Sequence, residues 1–354
     1  CSPGSARHQE GHDTRDGDSE IYFRLLGPDG DPTDPARRLT FGEDAAYEPS
    51  LAAIDGSGFA MAWYTKSADG RAKAYVGAFN GDGTVRWSHP VGSLPARNPV
   101  VRVSRLAIFV AWIQRDADGT ESIWRRWWTR EGEEIGLPVR LAPASDTTWN
   151  LNADVDDSGS AWVVFDSDAF TQASEVFLAR DDLSGRPLER VTSDDGAPST
   201  YPDISVRAGR AALAWRDERD GNGEIYVTIE ALDTIGGDVD ARALRVTRTD
   251  GDSMGAYVAW NGERVGLAWS DRTGGEGGEH DVHFQEFDAG RARSRSQRIT
   301  ENATASLVPA IRAWGDGFVL AWNEYTAERQ GAPASSSVGV YLVPGQESPT
   351  GWQR

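Results

Sequence analysis

Two acidic, glycine-punctuated stretches hold the residues best suited to bind a metal ion. Asp116 and Asp118 lie in one stretch, and Asp217 and Asp220 lie in the other. Carboxylate oxygens in a tight loop are the ligands that Ca²⁺ prefers, so these four residues are candidate calcium ligands. Asp, Asn and Gly also build ordinary hairpin turns, and neither stretch keeps the spacing of an EF-hand loop. Calcium is therefore the one cofactor to consider, beside a purely structural role for both turns.

An aromatic and cationic cluster occupies residues 124–130, with the sequence WRRWWTR. Trp124, Arg126, Trp127 and Trp128 could form a surface that stacks on sugars or binds a protein, because tryptophan and arginine are enriched at interface hot spots. Tryptophans on alternate sides of a strand are also expected where both faces of a sheet are covered. The cluster is thus a possible interface with packing as the alternative.

No residue pattern predicts a catalytic site. A glycosidase needs two carboxylates across a cleft, and the 55 acidic residues of this chain do not single out a pair. Residues 155–162 partly resemble a sialidase aspartate box, but they lack its leading serine and precede the second strand of a repeat. A Gly-x-Ser-x-Gly nucleophile elbow and a glycine-rich phosphate loop are both absent from the sequence. These observations favour a binding function over an enzymatic one.

The only cysteine is Cys1, and it is followed by a polar run rich in Gly, Ser, Asp and Arg. This start resembles the mature N-terminus of a bacterial lipoprotein, which implies acyl chains on Cys1. Ser2 resembles an outer-membrane sorting signal, so the expected location is the outer membrane of a Gram-negative-type envelope, on its periplasmic or its surface face. An artificial chain start is the alternative. Residues 1–19 are predicted to be a flexible tether.

The charge of the chain excludes two classes of partner. Its formal net charge is −19, which repels nucleic acid phosphates and anionic lipid. Since no segment reaches the apolar length of a membrane-spanning helix, membrane contact is expected only through a lipid on Cys1.

A repeat positions these candidate residues. Its anchor is an Ala-Trp pair, degenerate in one copy, with spacings of 49, 53, 50, 54 and 53 residues; the pairs begin at Ala62, Ala111, Val164, Ala214, Ala268 and Ala321. An opening strand precedes each pair, often at a proline, and a third and fourth strand follow it. Apolar runs this short, separated by Asp, Asn and Gly, predict strands and turns. Self-similarity at this period with four strands per unit predicts an all-β fold, a β-propeller.

The ends of the chain predict how the ring closes. A pair of strands at Glu20 to Leu26 and Arg37 to Phe41 precedes the first complete unit, and the last unit lacks a fourth strand after Tyr341. We therefore expect six four-stranded blades rather than seven, closed by an N-terminal strand that pairs with the C-terminal blade. One third strand is surplus, either Ile21 to Leu25 or Val338 to Val343. The predicted organisation is a tether at 1–19, a propeller at 20–344 and a tail at 345–354.

The repeat resembles the TolB-type, WD40-like (PD40) propeller repeat. The resemblance rests on the Arg-Val-Thr at 190–192, the Pro-Asp-Ile at 202–204 and the run from Ala214 to Tyr226. The Ser-Pro-Asp-Gly turn of that family is replaced here, and the units are longer. Most members of that class are envelope proteins that bind other proteins, and a minority are peptidases or glycan-active enzymes. The resemblance implies a lipid-anchored, non-catalytic scaffold or accessory subunit that binds another envelope or surface protein. The alternative is a propeller that binds or cleaves a glycan.

Overall fold

Antiparallel sheets succeed one another along the chain and form a six-bladed β-propeller. The computed structural model describes residues 19–27, 31–54, 56, 58–145, 148–181, 188–232, 235, 239–272, 279–288, 291–301, 304–326 and 335–344, with the backbone alone at 326 and 335–339. Each blade runs outward from an inner strand through neighbouring antiparallel strands. The all-β class and the six-bladed propeller predicted from the repeat are confirmed.

The first three blades each contain four strands. Blade 1 comprises β3 (Ala45–Ile54), β4 (Gly58–Lys66), β5 (Ala72–Asn80) and β6 (Val85–Pro90). Blade 2 comprises β7 (Ala96–Val103), β8 (Ala107–Arg115), β9 (Glu121–Thr129) and β10 (Glu134–Ala144). Blade 3 comprises β11 (Leu151–Val155), β12 (Ala161–Ser167), β13 (Glu175–Asp181) and β14 (Glu189–Arg190).

The later blades vary at their outer edge. Blade 4 comprises β15 (Ser199–Arg207), β16 (Arg210–Asp217), β17 (Glu224–Ala231) and β18 (Leu244–Arg245), with a 3₁₀ turn at Asp240–Arg242. Blade 5 comprises β19 (Ser253–Asn261), β20 (Arg264–Arg272) and β21 (His280–Asp288), and β21 pairs outward with both β22 (Arg291–Ala292) and β23 (Gln297–Arg298). Blade 6 comprises β24 (Ala305–Trp314), β25 (Gly317–Thr326) and β26 (Ser335–Val343) among the described residues.

The Ala-Trp pair packs the blades together. The alanines at 62, 111, 214 and 268 are fully buried, and Trp112, Trp215 and Trp269 are at most 1% exposed. The small alanine lets the neighbouring blade approach, while the indole fills the space beside it. In four of the five Ala-Trp pairs the indole N–H reaches the polar residue two positions later, as Trp215 Nε1 does at 3.1 Å from Asp217 Oδ2. Burying a tryptophan with its N–H satisfied explains why this pair recurs.

A second recurring device joins the third strand to the fourth. A threonine two residues beyond the fourth strand accepts a backbone N–H of the third-strand segment at Oγ1 and donates to an acid beside it; the pairs are Thr40 with Glu20, Thr192 with Glu175, Thr247 with Glu224, and Thr300 with Asp281. In three copies an arginine two residues before the threonine also contacts the acid, namely Arg38, Arg245 and Arg298. In blade 3 that arginine, Arg190, lies beside Asp194 instead. A buried acid needs such partners, so the device explains the recurring Arg-x-Thr.

The inner strands would expose unpaired backbone groups, and side chains of the preceding blade satisfy some of them. Three such bonds are Val101 N to Ser50 Oγ at 3.1 Å, Val206 N to Asp154 Oδ2 at 2.7 Å and Val258 N to Asp203 Oδ2 at 2.9 Å. The polar residues of the inner strands therefore hold consecutive blades in register.

The predicted pairing of the N-terminal strand with the C-terminal blade is wrong for the described strands. β1 (Tyr22–Phe23) pairs only with β2 (Arg37–Arg38), and the outer edge of β25 is taken by β26. The surplus third strand is therefore the N-terminal one. The β1–β2 hairpin packs on blade 1, where Phe23 stacks on Phe59 with ring centroids 4.8 Å apart. Burial of apolar side chains against this face of blade 1 holds the hairpin without strand pairing to blade 6.

Blades 1 and 6 are less buried than the others along their inner strands. In β3 the residues that alternate with Ser50 are exposed, and so are alternate residues of β24; they are Pro49, Leu51, Ala53, Ala310, Arg312 and Trp314. Since Ser50 bonds to blade 2, its alternating neighbours lie on the side toward blade 6. We call this solvent-exposed junction between blades 6 and 1 the seam.

Among the described residues, no helix is long and apolar enough to cross a membrane.

Candidate functional site

The end of the propeller where the six inner strands begin, called here the mouth, carries unusual backbone. Four non-glycine residues there have positive φ, namely Glu48 (50°), Asn98 (47°), Tyr201 (55°) and Val308 (53°), and Gly255 (63°) is their counterpart in blade 5. Each lies where the inner strand shifts register against its neighbour, which identifies a β-bulge. Positive φ is uncommon for side chains of this kind and strained for β-branched Val308. Strain repeated around one end of a fold points to a functional surface.

Trp149 is the most prominent exposed aromatic residue of the mouth. It lies between β10 and β11, and it is 59% exposed. The guanidinium of Arg97 packs over the indole with its carbon 4.6 Å from the ring centroid. Asn98 Nδ2 donates to the carbonyl of Trp149 at 2.9 Å. The indole is thus fixed by contacts on one side and open to solvent on the other.

Arg97 is itself held firmly. Its Nη2 donates to Glu121 Oε2 at 2.6 Å and to the carbonyl of Thr148 at 2.7 Å, and its Nη1 donates to Asn98 Oδ1 at 3.1 Å. Because the guanidinium is paired on several edges, its planar face remains against the tryptophan. The indole therefore sits on a preorganised support.

Asp166 anchors the chain on the other side of Trp149. This buried carboxylate accepts the N–H groups of Trp149 and Asn150 at 3.4 Å each, Asn150 Nδ2 at 2.6 Å and the N–H of Tyr201 at 3.1 Å. Burial raises the pKa of Asp166, although these hydrogen bonds oppose the shift. The bonds tie the bulge of blade 4 to the segment that carries the exposed indole.

Blade 1 contributes a second aromatic group to the mouth. The rings of Tyr47 and Tyr64 stack with centroids 5.5 Å apart, and Tyr64 Oη donates to Glu48 Oε1 at 3.3 Å. Flat apolar ring faces beside hydroxyl and carboxylate groups can stack on the C–H face of a sugar while hydrogen-bonding its hydroxyls.

The first predicted calcium stretch forms a turn between β8 and β9. Asp116 accepts hydrogen bonds from Gln114, Ser122 and Trp124, and Asp118 accepts the N–H and the hydroxyl of Thr120. The bonds from Thr120 lower the pKa of Asp118. Both carboxylates thus have protein donors.

In the second predicted calcium stretch, both aspartates pair with arginines. Asp217 bonds to Arg219 and Ser199 besides Trp215, and Asp220 accepts the hydroxyl of Tyr226 at 2.5 Å and pairs with an arginine of the fourth strand, Arg245. Burial would raise the pKa of Asp217, but the hydrogen bonds from Arg219 outweigh it and lower that pKa. No group of three or more His, Cys, Asp or Glu side chains suited to a metal occurs in the described part of the chain. Calcium binding stays a prediction.

The aromatic cluster of β9 lies between blades. Trp128 is fully buried and Arg126 is 9% exposed, and Arg126 pairs with Glu134. Trp127 donates from Nε1 to Asp181 of blade 3 at 2.7 Å, and Trp124 donates to Asp116 at 3.2 Å. These contacts agree with the packing alternative, and an interface at this cluster stays a prediction. Cys1, the predicted lipidation site, lies outside the described residues.

Sequence reasoning did not single out the residues of the mouth. Glu48, Asn98, Tyr201 and Val308 each precede a proline, and this recurrence was the available signal. Trp149 lies outside the Ala-Trp position of the repeat, which is the other signal, because a tryptophan with no assigned packing role is a candidate for binding.

The comparisons with known proteins concern the fold. No family model and no curated protein matches this sequence. Among solved structures, it is similar to the β-propeller domain of the trilobed protease from Pyrococcus furiosus, described as having an open velcro topology. The TM-score is 0.50 at 12% identity, and the match covers 87% of this chain and 86% of that one.

Two other solved structures are similar at lower TM-scores. A Trypanosoma rangeli sialidase mutant with trans-sialidase activity has a TM-score of 0.48 at 13% identity, covering 90% of this chain, which spans only 56% of that one. A subtype N11 neuraminidase-like protein has a TM-score of 0.49 at 10% identity, covering 87% and 90%. At such identities the similarity concerns the propeller fold alone.

Proposed function

We propose that this protein is a glycan-binding propeller whose mouth holds a saccharide against Trp149. The observation that carries the proposal is the exposed indole fixed on Arg97. An apolar ring left 59% exposed forgoes the stabilisation of burial, and here several hydrogen bonds hold its surroundings in place. A rigid ring loses little conformational entropy when a ligand stacks on it, which favours binding.

The neighbouring groups supply the polar half of such a site. Glu48, Asn98 and Asn150 offer acceptors and donors around the mouth, and the Tyr47–Tyr64 pair offers another ring surface. Saccharides present alternating C–H faces and hydroxyl edges, so a surface of rings and amide groups matches them chemically. We assign no cleavage step to these residues.

Trp149→Ala tests the proposal. A glycan array with the wild-type chain identifies a ligand, and calorimetry then compares variants. We expect Trp149→Ala to weaken the affinity at least about tenfold, a loss of about 1.4 kcal/mol, without lowering the melting temperature. Trp314→Ala is the matched control, since Trp314 is 46% exposed at the far end of an inner strand. Absence of any glycan ligand, or equal binding by Trp149→Ala, would contradict the proposal.

A second candidate function is protein binding through the outer edge of blade 2, as a lipid-anchored scaffold would require. β10 is an edge strand, and its Ile135, Leu137 and Val139 are 43%, 79% and 39% exposed. Leu106, 85% exposed, lies at the turn before β8. An exposed apolar edge can accept a strand from a partner protein.

Co-purification from the native membrane tests this candidate, together with the mass of Cys1. We expect a partner that is retained by Val85→Asp, a change at the 53% exposed Val85 of β6, and lost from Leu137→Asp. A partner retained by both variants, or none at all, would count against docking on β10.

A further inference from the structure

Two arginines lie in one layer around the inner strands. In each blade, the second-strand residue two positions before the first residue of the Ala-Trp pair lies opposite one residue of the inner strand. These six inner-strand residues therefore occupy equivalent positions in their blades. They are Ala52, Arg102, Asp154, Ser205, Ala259 and Arg312. Blades 2 and 6 thus supply the arginines of this layer, and Ala52 of blade 1 between them is small. We call it the arginine layer.

Neither guanidinium of this layer has a carboxylate partner within ion-pair distance among the described residues. Arg102 Nη1 donates to the carbonyl of Val101 at 2.8 Å, and Arg312 Nη1 donates to the carbonyl of Ile311 at 2.7 Å. A guanidinium has several further N–H donors. Most partly buried arginines outside this layer, among the described residues, contact an acid, as Arg97, Arg125 and Arg264 do. The two arginines of the layer therefore retain donors for a ligand.

The nearby acids, Asp154 and Asp203, form hydrogen bonds with backbone groups rather than with the two guanidiniums. Asp154 and Asp203 hold backbone N–H groups of the following blades, Val206 N at 2.7 Å and Val258 N at 2.9 Å. Asp203 is only 4% exposed, and this burial raises its pKa to about 6. Burial, together with the charge of Arg312, lowers the pKa of Arg102 to about 10, although the negative charges of Asp154 and Asp203 oppose this shift. The positive charges are thus close enough to repel each other, and an anion between them would relieve that repulsion.

The seam gives access to the arginine layer. Arg312 is exposed on the face of β24 that also exposes Ala310, and Leu51 of β3 is 41% exposed. The layer lies four residues along the inner strand from the bulges, a distance of about 13 Å. A small anion can therefore reach Arg312 from solvent.

We propose that Arg102 and Arg312 together bind an oxyanion, either a free sulfate, phosphate or carboxylate or the same group carried by a saccharide that enters from the mouth. Guanidinium groups bind such oxygens through paired N–H donors. The free-anion form is independent of the proposed glycan function, whereas the saccharide form rests on it.

Titration calorimetry with sodium sulfate, phosphate and acetate at constant ionic strength tests the site, with sodium chloride as the baseline. We expect saturable binding of at least one oxyanion to the full chain, weakened at least about tenfold in Arg312→Ala. Because Arg312 is exposed, this variant is expected to fold; Arg102→Lys provides a second variant, which keeps the charge but loses the planar fork. The control is Arg105→Ala, an exposed arginine between β7 and β8.

A second titration, with a uronic-acid oligosaccharide and its neutral analogue, distinguishes a free anion from an anionic group carried by a saccharide. Tighter binding of the acidic form that depends on both Arg312 and Trp149 supports the saccharide source, while binding of inorganic anions that depends on Arg312 alone supports the free anion. Two results would overturn the site: no saturable binding of any oxyanion, or binding that Arg312→Ala and Arg105→Ala change equally. Loss of glycan binding in Trp149→Ala with anion binding intact keeps the two proposals distinguishable.

Discussion

Trp215→Ala is expected to lower the free energy of unfolding by about 3–5 kcal/mol, the largest effect anticipated for a single substitution in this chain. Trp215 is fully buried, and its ring stacks on Tyr226 with centroids 6.1 Å apart. Truncation leaves a cavity between blades 3 and 4 that the surrounding strands cannot close, because their backbones are fixed by strand pairing. It also removes one donor from the buried Asp217.

Thermal and denaturant unfolding measure this effect. A loss of this size corresponds to a fall in melting temperature on the order of 10 °C. Trp314→Ala removes an identical side chain from an exposed position and is expected to change stability by less than about 0.5–1 kcal/mol. Equal destabilisation by the two variants would show that the Ala-Trp position is not the packing anchor described above.

Glu175→Gln is expected to remove a pH dependence from the stability of the protein. Burial raises the pKa of Glu175 from its ordinary 4.5 to about 7, and its Oε1 has no hydrogen-bond partner. The reason lies in the recurring acid-threonine device: Thr192 donates to Oε2 at 2.5 Å, but Arg190 is turned toward Asp194. Glu175 alone of the four acids lacks the fourth-strand arginine seen in its sister copies.

The raised pKa of Glu175 makes the free energy of unfolding fall as the pH rises. Between about pH 4.5 and 7 the unfolded chain ionises Glu175 while the folded chain keeps it protonated. The free energy of unfolding contributed by this group is therefore fully present below pH 4.5 and is lost as the pH rises through 7. Glutamine keeps the neutral form at every pH. We expect Glu175→Gln to gain about 1–3 kcal/mol relative to the wild type between pH 5 and 8.

Denaturant unfolding across this pH range provides the measurement. Asp194→Ala offers a matched test, because it frees Arg190 to contact Glu175 as Arg245 contacts Glu224, and the pH dependence should then shrink. Glu224→Gln, by contrast, breaks an existing ion pair and is expected to destabilise. Parallel pH curves for the wild type and Glu175→Gln would rule out the raised pKa.

The recurrence of local sequence made much of the fold predictable. The strand predicted to contain the pair at Ala214 is β16, and the third strand predicted to follow that pair is β17, since each copy repeats the same alternation and turn residues. The N-terminal pair of strands is also present, with Tyr22 opposite Arg38. Its placement was missed because β1 and β26 are both suitable partners for β25. Which of the two strands pairs with β25 depends on apolar contacts with blade 1, and these contacts cannot be predicted from the alternation of residues along a strand.

The residues of the mouth were not predicted from the sequence, for a different reason. Glu48, Tyr201 and Val308 are not residues that indicate positive φ, so their bulges follow from the geometry of the ring rather than from local preference. The support beneath Trp149 joins residues that are 51 positions apart in the pairs Arg97–Thr148 and Asn98–Trp149. Such contacts require the packing of consecutive blades and cannot be read from one repeat.

The hydrogen bonds between blades also bear on how the chain folds during synthesis. Ser50 to Val101, Asp154 to Val206 and Asp203 to Val258 span only 51, 52 and 55 residues, and each joins a blade to the next one made. Each newly synthesised blade can therefore bond to a preceding blade that has already left the ribosome. Because the seam is exposed, few contacts have to form only after the C-terminus is made. Assembly can advance in the order of translation, and the propeller could lengthen or shorten by whole blades at the seam without disturbing the junctions already formed.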